Sequence, residues 1–202
     1  PYSNISCFST TRHGGCGEGA YATFNCTHYC GDCPESVKAN LEILAASLPK
    51  RPQAFVIPRQ THTTNVRVIK DIPTQETLQD VDAIVTHLKD FCLCVSTADC
   101  VPVLLYDVSK DVLAAIHAGW RGTVGRIVEK TLEVMESEYG TEGKDVIACI
   151  GPSISLESFE VGDEVYAAFA EAGFDITNTD KMMKSPVWGA FYDFAILDPV
   201  YT

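Results

Sequence analysis

Apolar residues recur along the chain in two rhythms. Val37, Leu41, Leu44 and Leu48 fall at helical spacing, which predicts an amphipathic helix over 34–48. Asp32 stands ahead of it with Glu35 three residues on, the pattern of a capped start, and Pro49 and Pro52 end it. Short β-rich runs follow at 54–58, 65–69, 82–86, 91–96, 101–106 and 112–116. Most are apolar on both faces, as buried strands are. Residues 123–139 carry the strongest helical signal, with Val124, Ile127, Val128, Thr131, Leu132 and Met135 in one stripe and charges opposite. A further strand is predicted at 146–150 and a helix at 162–172, carrying Val165, Ala168 and Phe169. Residues 11–33, rich in Gly, Cys, Thr and His, predict a long ordered loop or loosely paired strands, and 175–202 give no assignment. The order helix, many strands, helix, strand, helix argues for an α/β fold with a mixed sheet or two sheets rather than a regular βαβ alternation.

Length adds that the 202 residues fit a single domain with a full core. The net charge of −12 and the lack of any Lys/Arg cluster weigh against a nucleic-acid or anionic-membrane partner. A small anionic substrate stays compatible, because a few arginines can converge locally. Nine cysteines, an odd number, together with no visible signal peptide and no apolar run near the ~20 residues of a membrane span, predict a reduced, cytoplasmic protein with mostly free thiols. It is expected to act as a monomer or small homo-oligomer.

Reactive groups sit just beyond several apolar runs. The run at 54–58 leads into Arg59-Gln60-Thr61-His62, Asp99-Cys100 precedes the run at 101–106, and the run at 112–116 leads into His117-Ala118-Gly119-Trp120-Arg121-Gly122. Strand ends are where α/β proteins place ligand sites. Two imidazoles and a thiolate make a three-ligand zinc set with an open fourth position. The separations of 38 and 17 residues match no local zinc motif, however. On residues and spacing alone, Cys100 as a small core residue, the usual fate of cysteine, and the histidines as hydrogen-bonded strand-end residues remain the alternatives. Gly119 and Gly122 permit a tight strand-to-helix turn that aims Arg121 and backbone N–H groups at an anion; a simple loop with Arg121 salt-bridged at the surface is the alternative. Cys26, His28, Cys30 and Cys33 form a rival soft-ligand cluster, although structural zinc sites generally pair two knuckles a dozen or more residues apart. Cys92 and Cys94 alternate on one strand face and read as core.

At the residues Thr97-Ala98-Asp99-Cys100-Val101-Pro102-Val103-Leu104-Leu105 and Ile116-His117-Ala118-Gly119-Trp120-Arg121-Gly122 the chain resembles the YfiH family, once labelled polyphenol oxidase or laccase-domain proteins. Ser9-Thr10-Thr11-Arg12-His13-Gly14-Gly15, Phe24-Asn25, Gly31-Asp32, Gln60-Thr61-His62, Ile150-Gly151-Pro152 and Phe159-Glu160-Val161-Gly162 extend the similarity over roughly residues 7–170. The resemblance implies a layered α/β/β/α sandwich with mixed sheets, and a single catalytic domain over 1–202 whose C-terminal part is atypical or truncated. It implies a metal, usually zinc with copper as the alternative, on His62, Cys100 and His117. The implied activity is phosphorolysis of adenosine, inosine and methylthioadenosine, with hydrolytic deamination of adenosine as a companion. Arg12, Asn25 and Arg121 would lie near the nucleoside or phosphate. Two departures stand out: Thr63 replaces the family's usual Gly after the histidine, and residues 191–202 do not match the family's later blocks, which include a Cys-Thr segment and an Arg-rich stretch.

Asp99 or Glu160 would serve as the general acid or base. Three other readings use the same residues. Cys100 would be the nucleophile of a thiol hydrolase with His117 as base and Asp99 or another carboxylate orienting it. The trio would hold one copper ion, although five histidines are too few for a multicopper oxidase. Or the domain would bind metal without catalysis.

Overall fold

The computed structural model describes residues 4–155, 158–174 and 192–197. Among these residues nine strands form two mixed sheets. In one, β1 (Ser6–Ser9), β9 (Tyr192–Leu197), β5 (Phe91–Thr97) and β2 (Ala54–Val56) lie in the order β1-β9-β5-β2, with only the β2–β5 pair parallel. The other has the order β3-β4-β7-β6-β8, from β3 (Val66–Ile69), β4 (Ala83–Thr86), β7 (Val112–Ala118), β6 (Val101–Asp107) and β8 (Val146–Ile150), with only β3–β4 parallel. The expected mixed α/β class with two sheets is therefore observed. Among the described residues no helix is long and apolar enough to cross a membrane.

Strands β4 and β7 are buried along their whole length, and β5 and β6 nearly so, which is why they read as continuous apolar runs. One core cluster joins Val56, Leu93 and Val95 of the first sheet to Ile84, Leu104 and Leu113 of the second. A second cluster fills the space between β4, β6, β7 and helix α3 (Ile127–Tyr139). A third gathers Cys92, Cys94 and Ile57 with Leu41 and Leu48, at helix α1 (Pro34–Ser47). Cys92 and Cys94 thus share one buried face, their sulfurs 3.8 Å apart. Edge strand β8 is largely exposed, with Ile150 at 70%.

Two local expectations change. The N-cap of α1 is Cys33 rather than Asp32, and no side chain closes it. Asp32 instead accepts from Asn25 Nδ2 at 2.8 Å and from the Cys33 N–H. The helix expected over 123–139 begins earlier and is two pieces, α2 (Trp120–Val124) and α3. Between them Arg126 takes a left-handed conformation, φ 63°. Residues 11–33 form the long ordered loop, which includes one 3-10 turn. Buried Asn40 of α1 ties it down, donating to the Asn25 carbonyl and accepting from the Cys16 N–H. Helix α4 (Asp163–Glu171) lies close to its predicted bounds.

Candidate metal centre and its cavity

Three connections deliver the central side chains. His117 is the penultimate residue of β7 and is 3% exposed. Cys100 occupies the short connection that passes from β5 in one sheet to β6 in the other, and is half-buried. His62 stands in the exposed loop between β2 and β3. That loop is clamped to the end of β5 by Gln60, whose side-chain amide donates to the Ser96 carbonyl at 2.7 Å and accepts from the Ser96 N–H at 2.8 Å. The amide behaves as a short stretch of strand. His62 itself has φ 63°, a conformation that costs a non-glycine residue about 1–2 kcal/mol.

The three donor atoms all lie within 4.8 Å of one another. Cys100 Sγ is 3.7 Å from His62 Nε2, and the imidazole rings of His62 and His117 stand 4.9 Å apart, edge to face. A nitrogen at about 2.0 Å and a sulfur at about 2.3 Å from one tetrahedral centre stand about 3.5 Å apart. The trio therefore fits a zinc-like ion in both chemistry and spacing. No other group of three such side chains occurs among the described residues. Of the rival cluster, Cys26 is buried while Cys30 and Cys33 are exposed.

Behind the trio lies Asp82, fully buried at the head of β4. Its Oδ1 is 2.8 Å from His117 Nδ1, so the other ring nitrogen faces the trio. The same carboxylate accepts the N–H groups of His62 and Thr63 at 3.0 and 2.7 Å and the Thr63 hydroxyl at 2.7 Å. Thr63 is outside the left-handed region and uses its hydroxyl in this bond. Burial disfavours the Asp82 carboxylate, but hydrogen bonds from His117 and Thr63 outweigh it and hold its pKa below the usual value. Burial also pulls His117 down, yet hydrogen bonds with Asp82 and Cys100 lift its pKa to about 9. His62 shifts the other way, lowered first by desolvation and then by the facing His117, with Arg121 adding to the shift and Asp82 opposing it.

Gly119 closes the back of the site. A Cβ on it would sit 2.8 Å from His62 Cδ2 and 3.1 Å from Cys100 Sγ. Its φ of −71° is open to any residue, so space and not backbone freedom demands the glycine.

The trio opens into a cavity of about 750 Å³, with Tyr21, Phe24 and Tyr29 among its walls. Arg12, Asn25 and Asp99 also line it. The Asn25 side chain is engaged within its own loop, with Asp32 and the Thr27 N–H. Arg121 stacks on the Trp120 ring at 4.1 Å and is not among the lining residues, nor is exposed Glu160. Asp82 stands in the predicted run at 82–86, but neither it nor Gln60 has a site role that the sequence alone assigns. A lone acid opening a short run, Ala83–Thr86, with no other charge is the signal in the sequence for Asp82.

Residues 6–192 match the family described as multi-copper polyphenol oxidoreductase laccase. The chain is 57% identical to a purine nucleoside phosphorylase of Bacteroides thetaiotaomicron over 182 residues, 87% of this chain and 67% of that protein. It is 41% identical to adenosine deaminase RL5 from an unknown prokaryotic organism, over 92% of this chain and 72% of that protein. The crystal structure of a hypothetical protein YfiH from Bacillus licheniformis superimposes with a TM-score of 0.78 at 25% identity, covering 93% of this chain and 72% of that one. The chain thus spans about two thirds of the length of these curated relatives.

Proposed function

The chain belongs to the multi-copper polyphenol oxidoreductase laccase family, and on that premise we propose that it is a purine nucleoside phosphorylase holding zinc on His62, Cys100 and His117. Its substrates in this reading are adenosine, inosine and methylthioadenosine, together with phosphate. The observation that carries the proposal is the convergence of two imidazoles and a thiol at a cavity of nucleoside size with aromatic walls. The 57% identical phosphorylase supports the reaction. We read the fold as an α/β/β/α sandwich, with α1 and α3 outside the two sheets, forming one catalytic domain.

A bound zinc ion would supply Lewis acidity at the cavity floor. The chain's own groups do the rest. Tyr21, Phe24 and Tyr29 offer ring faces against which a purine stacks while water is excluded. Arg12 holds the phosphate in the cavity, where its charge is complementary. Phosphate oxygen bonds to C1′ as the bond from C1′ to the base nitrogen breaks, and Asp99 supplies a proton to the departing base. A positioned anion stabilises the cationic sugar at the transition state. Zinc is favoured over copper oxidase chemistry because a trinuclear copper centre needs several more imidazoles, and His28 and His87 pack instead against Tyr29 and Tyr139.

Two further readings have specific support. Deamination of adenosine is favoured by the 41% identical deaminase. A thiol hydrolase is favoured by the chain of hydrogen bonds from Cys100 to His117 to Asp82, the order of a nucleophile, base and orienting carboxylate. The close approach of His62 to the same sulfur favours metal instead. Incubating the zinc-loaded protein with adenosine or inosine, with and without phosphate, separates these readings by their products. Free base that appears only with phosphate and is lost in His117→Ala supports phosphorolysis. Inosine formed from adenosine without phosphate supports deamination, and no turnover in either condition rejects the nucleoside assignment.

A further inference from the structure

Asp82 touches the site in two separate places. Through Oδ1 it holds the His117 ring at 2.8 Å. Through both oxygens it gathers consecutive backbone N–H groups of the 61–63 loop, at 3.3 Å from Thr61, 3.0 Å from His62 and 2.7 Å from Thr63, and the Thr63 hydroxyl as well. A turn containing a left-handed residue presents successive N–H groups as a concave anion site. Here the anion is the protein's own carboxylate. The left-handed backbone of His62, which is unfavourable by itself, is held by these bonds. Its N–H points to Asp82 while its ring points to Cys100. The Asp82 carbonyl also accepts the His117 N–H at 2.7 Å, and both its own N–H and that of Ala83 donate to the Asn65 carbonyl. The head of β4 is therefore the point where the two histidine-bearing segments are joined.

We propose that Asp82 is a positioning residue for both histidine ligands at once, setting His117 through its ring and His62 through its backbone, so that loss of the carboxylate disorganises two donors of the divalent-cation site together. This inference rests on the metal reading above. It makes a distinction that an ordinary carboxylate–histidine pair does not: Asp82 should still matter when His117 is absent.

The test is the apparent zinc dissociation constant, measured by competition with a chromophoric chelator, for the full chain, Asp82→Asn, His117→Ala and the double variant. Asp82→Asn is expected to weaken zinc binding by roughly 10- to 100-fold, the range for groups that orient metal ligands. In the His117→Ala background the same change is expected to weaken it severalfold further. An unchanged constant in Asp82→Asn overturns the proposal, and loss confined to the His117-containing background overturns the part concerning His62. Imidazole 15N spectra of protein stripped of metal give a reading independent of zinc. Asp82→Asn should move the signals of both histidines, and movement of His117 alone contradicts the inference. If the wild-type protein binds no zinc the metal reading fails, while the spectra still decide the positioning role. Should Asp82→Asn not fold, Thr63→Val removes one hydroxyl bond to the carboxylate and leaves the His117 contact in place. It should weaken zinc binding severalfold and move the His62 signal, and no change in either overturns the proposal.

Discussion

Gly119 and His117 carry the sharpest consequences at the scale of single residues. Because a methyl group at Gly119 would press on both His62 and Cys100, Gly119→Ala should weaken zinc binding at least about tenfold. Its cost in stability should stay near 1 kcal/mol, the typical difference between Gly and Ala at an N-cap. Chelator competition and thermal unfolding measure the two effects separately. His117, with its pKa lifted to about 9 by Asp82 and Cys100 against the pull of burial, is protonated at neutral pH until a metal displaces the proton. Since the protonated ring cannot bind metal, the apparent zinc affinity should rise from pH 6 toward pH 9, by about tenfold per unit for each proton displaced. Zinc uptake in weak buffer at pH 7 should release protons. A flat profile would contradict the hydrogen-bonded state of this ring. His62, Cys100 and His117 stood out because each lies beside an apolar run, and the family resemblance, not their spacing, joined them as one ligand set. Asp82 did not, because its role is defined by donors that come from residues 61–63 and 117 and meet only in the fold.

Among the elements, the break between α2 and α3 shows what periodicity conceals. The apolar stripe from Val124 to Met135 runs straight across it, so pattern alone predicts one helix. A Cβ at Gly125 would lie 2.5 Å from Thr64 Cγ2, so this turn packs directly on the His62 loop. Arg126 holds the turn from outside, stacked on Phe174 at 4.0 Å and donating to the Ala172 carbonyl. Gly125→Ala should therefore destabilise the protein by about 1–3 kcal/mol, as overpacking does, and also weaken zinc binding. Gly140, at φ 69° with open space around it, should cost about 1 kcal/mol as Ala and leave zinc binding unchanged. Thermal unfolding with zinc titration checks both; equal effects of the two on zinc would contradict the packing account. Strands β1 and β9 escaped the sequence reading. The first is only Ser6–Ser9, and the second falls in a stretch without clear periodicity, its pairing with β1 and β5 set by distant partners. The α1 cap was misjudged because Asp32 spends its oxygens on Asn25 and Cys33 rather than on the helix.

At the scale of the whole molecule, a chain of net charge −12 must receive an anionic co-substrate in the proposed reaction. Local field and not net charge decides that, and among the described residues Arg12 supplies a cation to the cavity wall. Arg12→Ala should raise KM for phosphate about tenfold, the scale of one charge-assisted hydrogen bond, with a smaller effect on KM for the nucleoside. Steady-state kinetics with each substrate varied in turn reads the split, and equal changes would place the phosphate elsewhere. An α/β class with a mixed sheet or two sheets was legible from strand order; the way the sheets share a core was not, because residues as far apart in the chain as Val56, Ile84 and Leu113 meet in one cluster. The central claim is that one metal ion on His62, Cys100 and His117 runs the reaction, and metal removal tests it most directly. Phosphate-dependent release of base from inosine should vanish when zinc is stripped by a chelator and return fully at one zinc per chain. Activity that survives in the metal-free protein and is abolished by alkylating Cys100 would contradict the claim and leave the thiol as nucleophile.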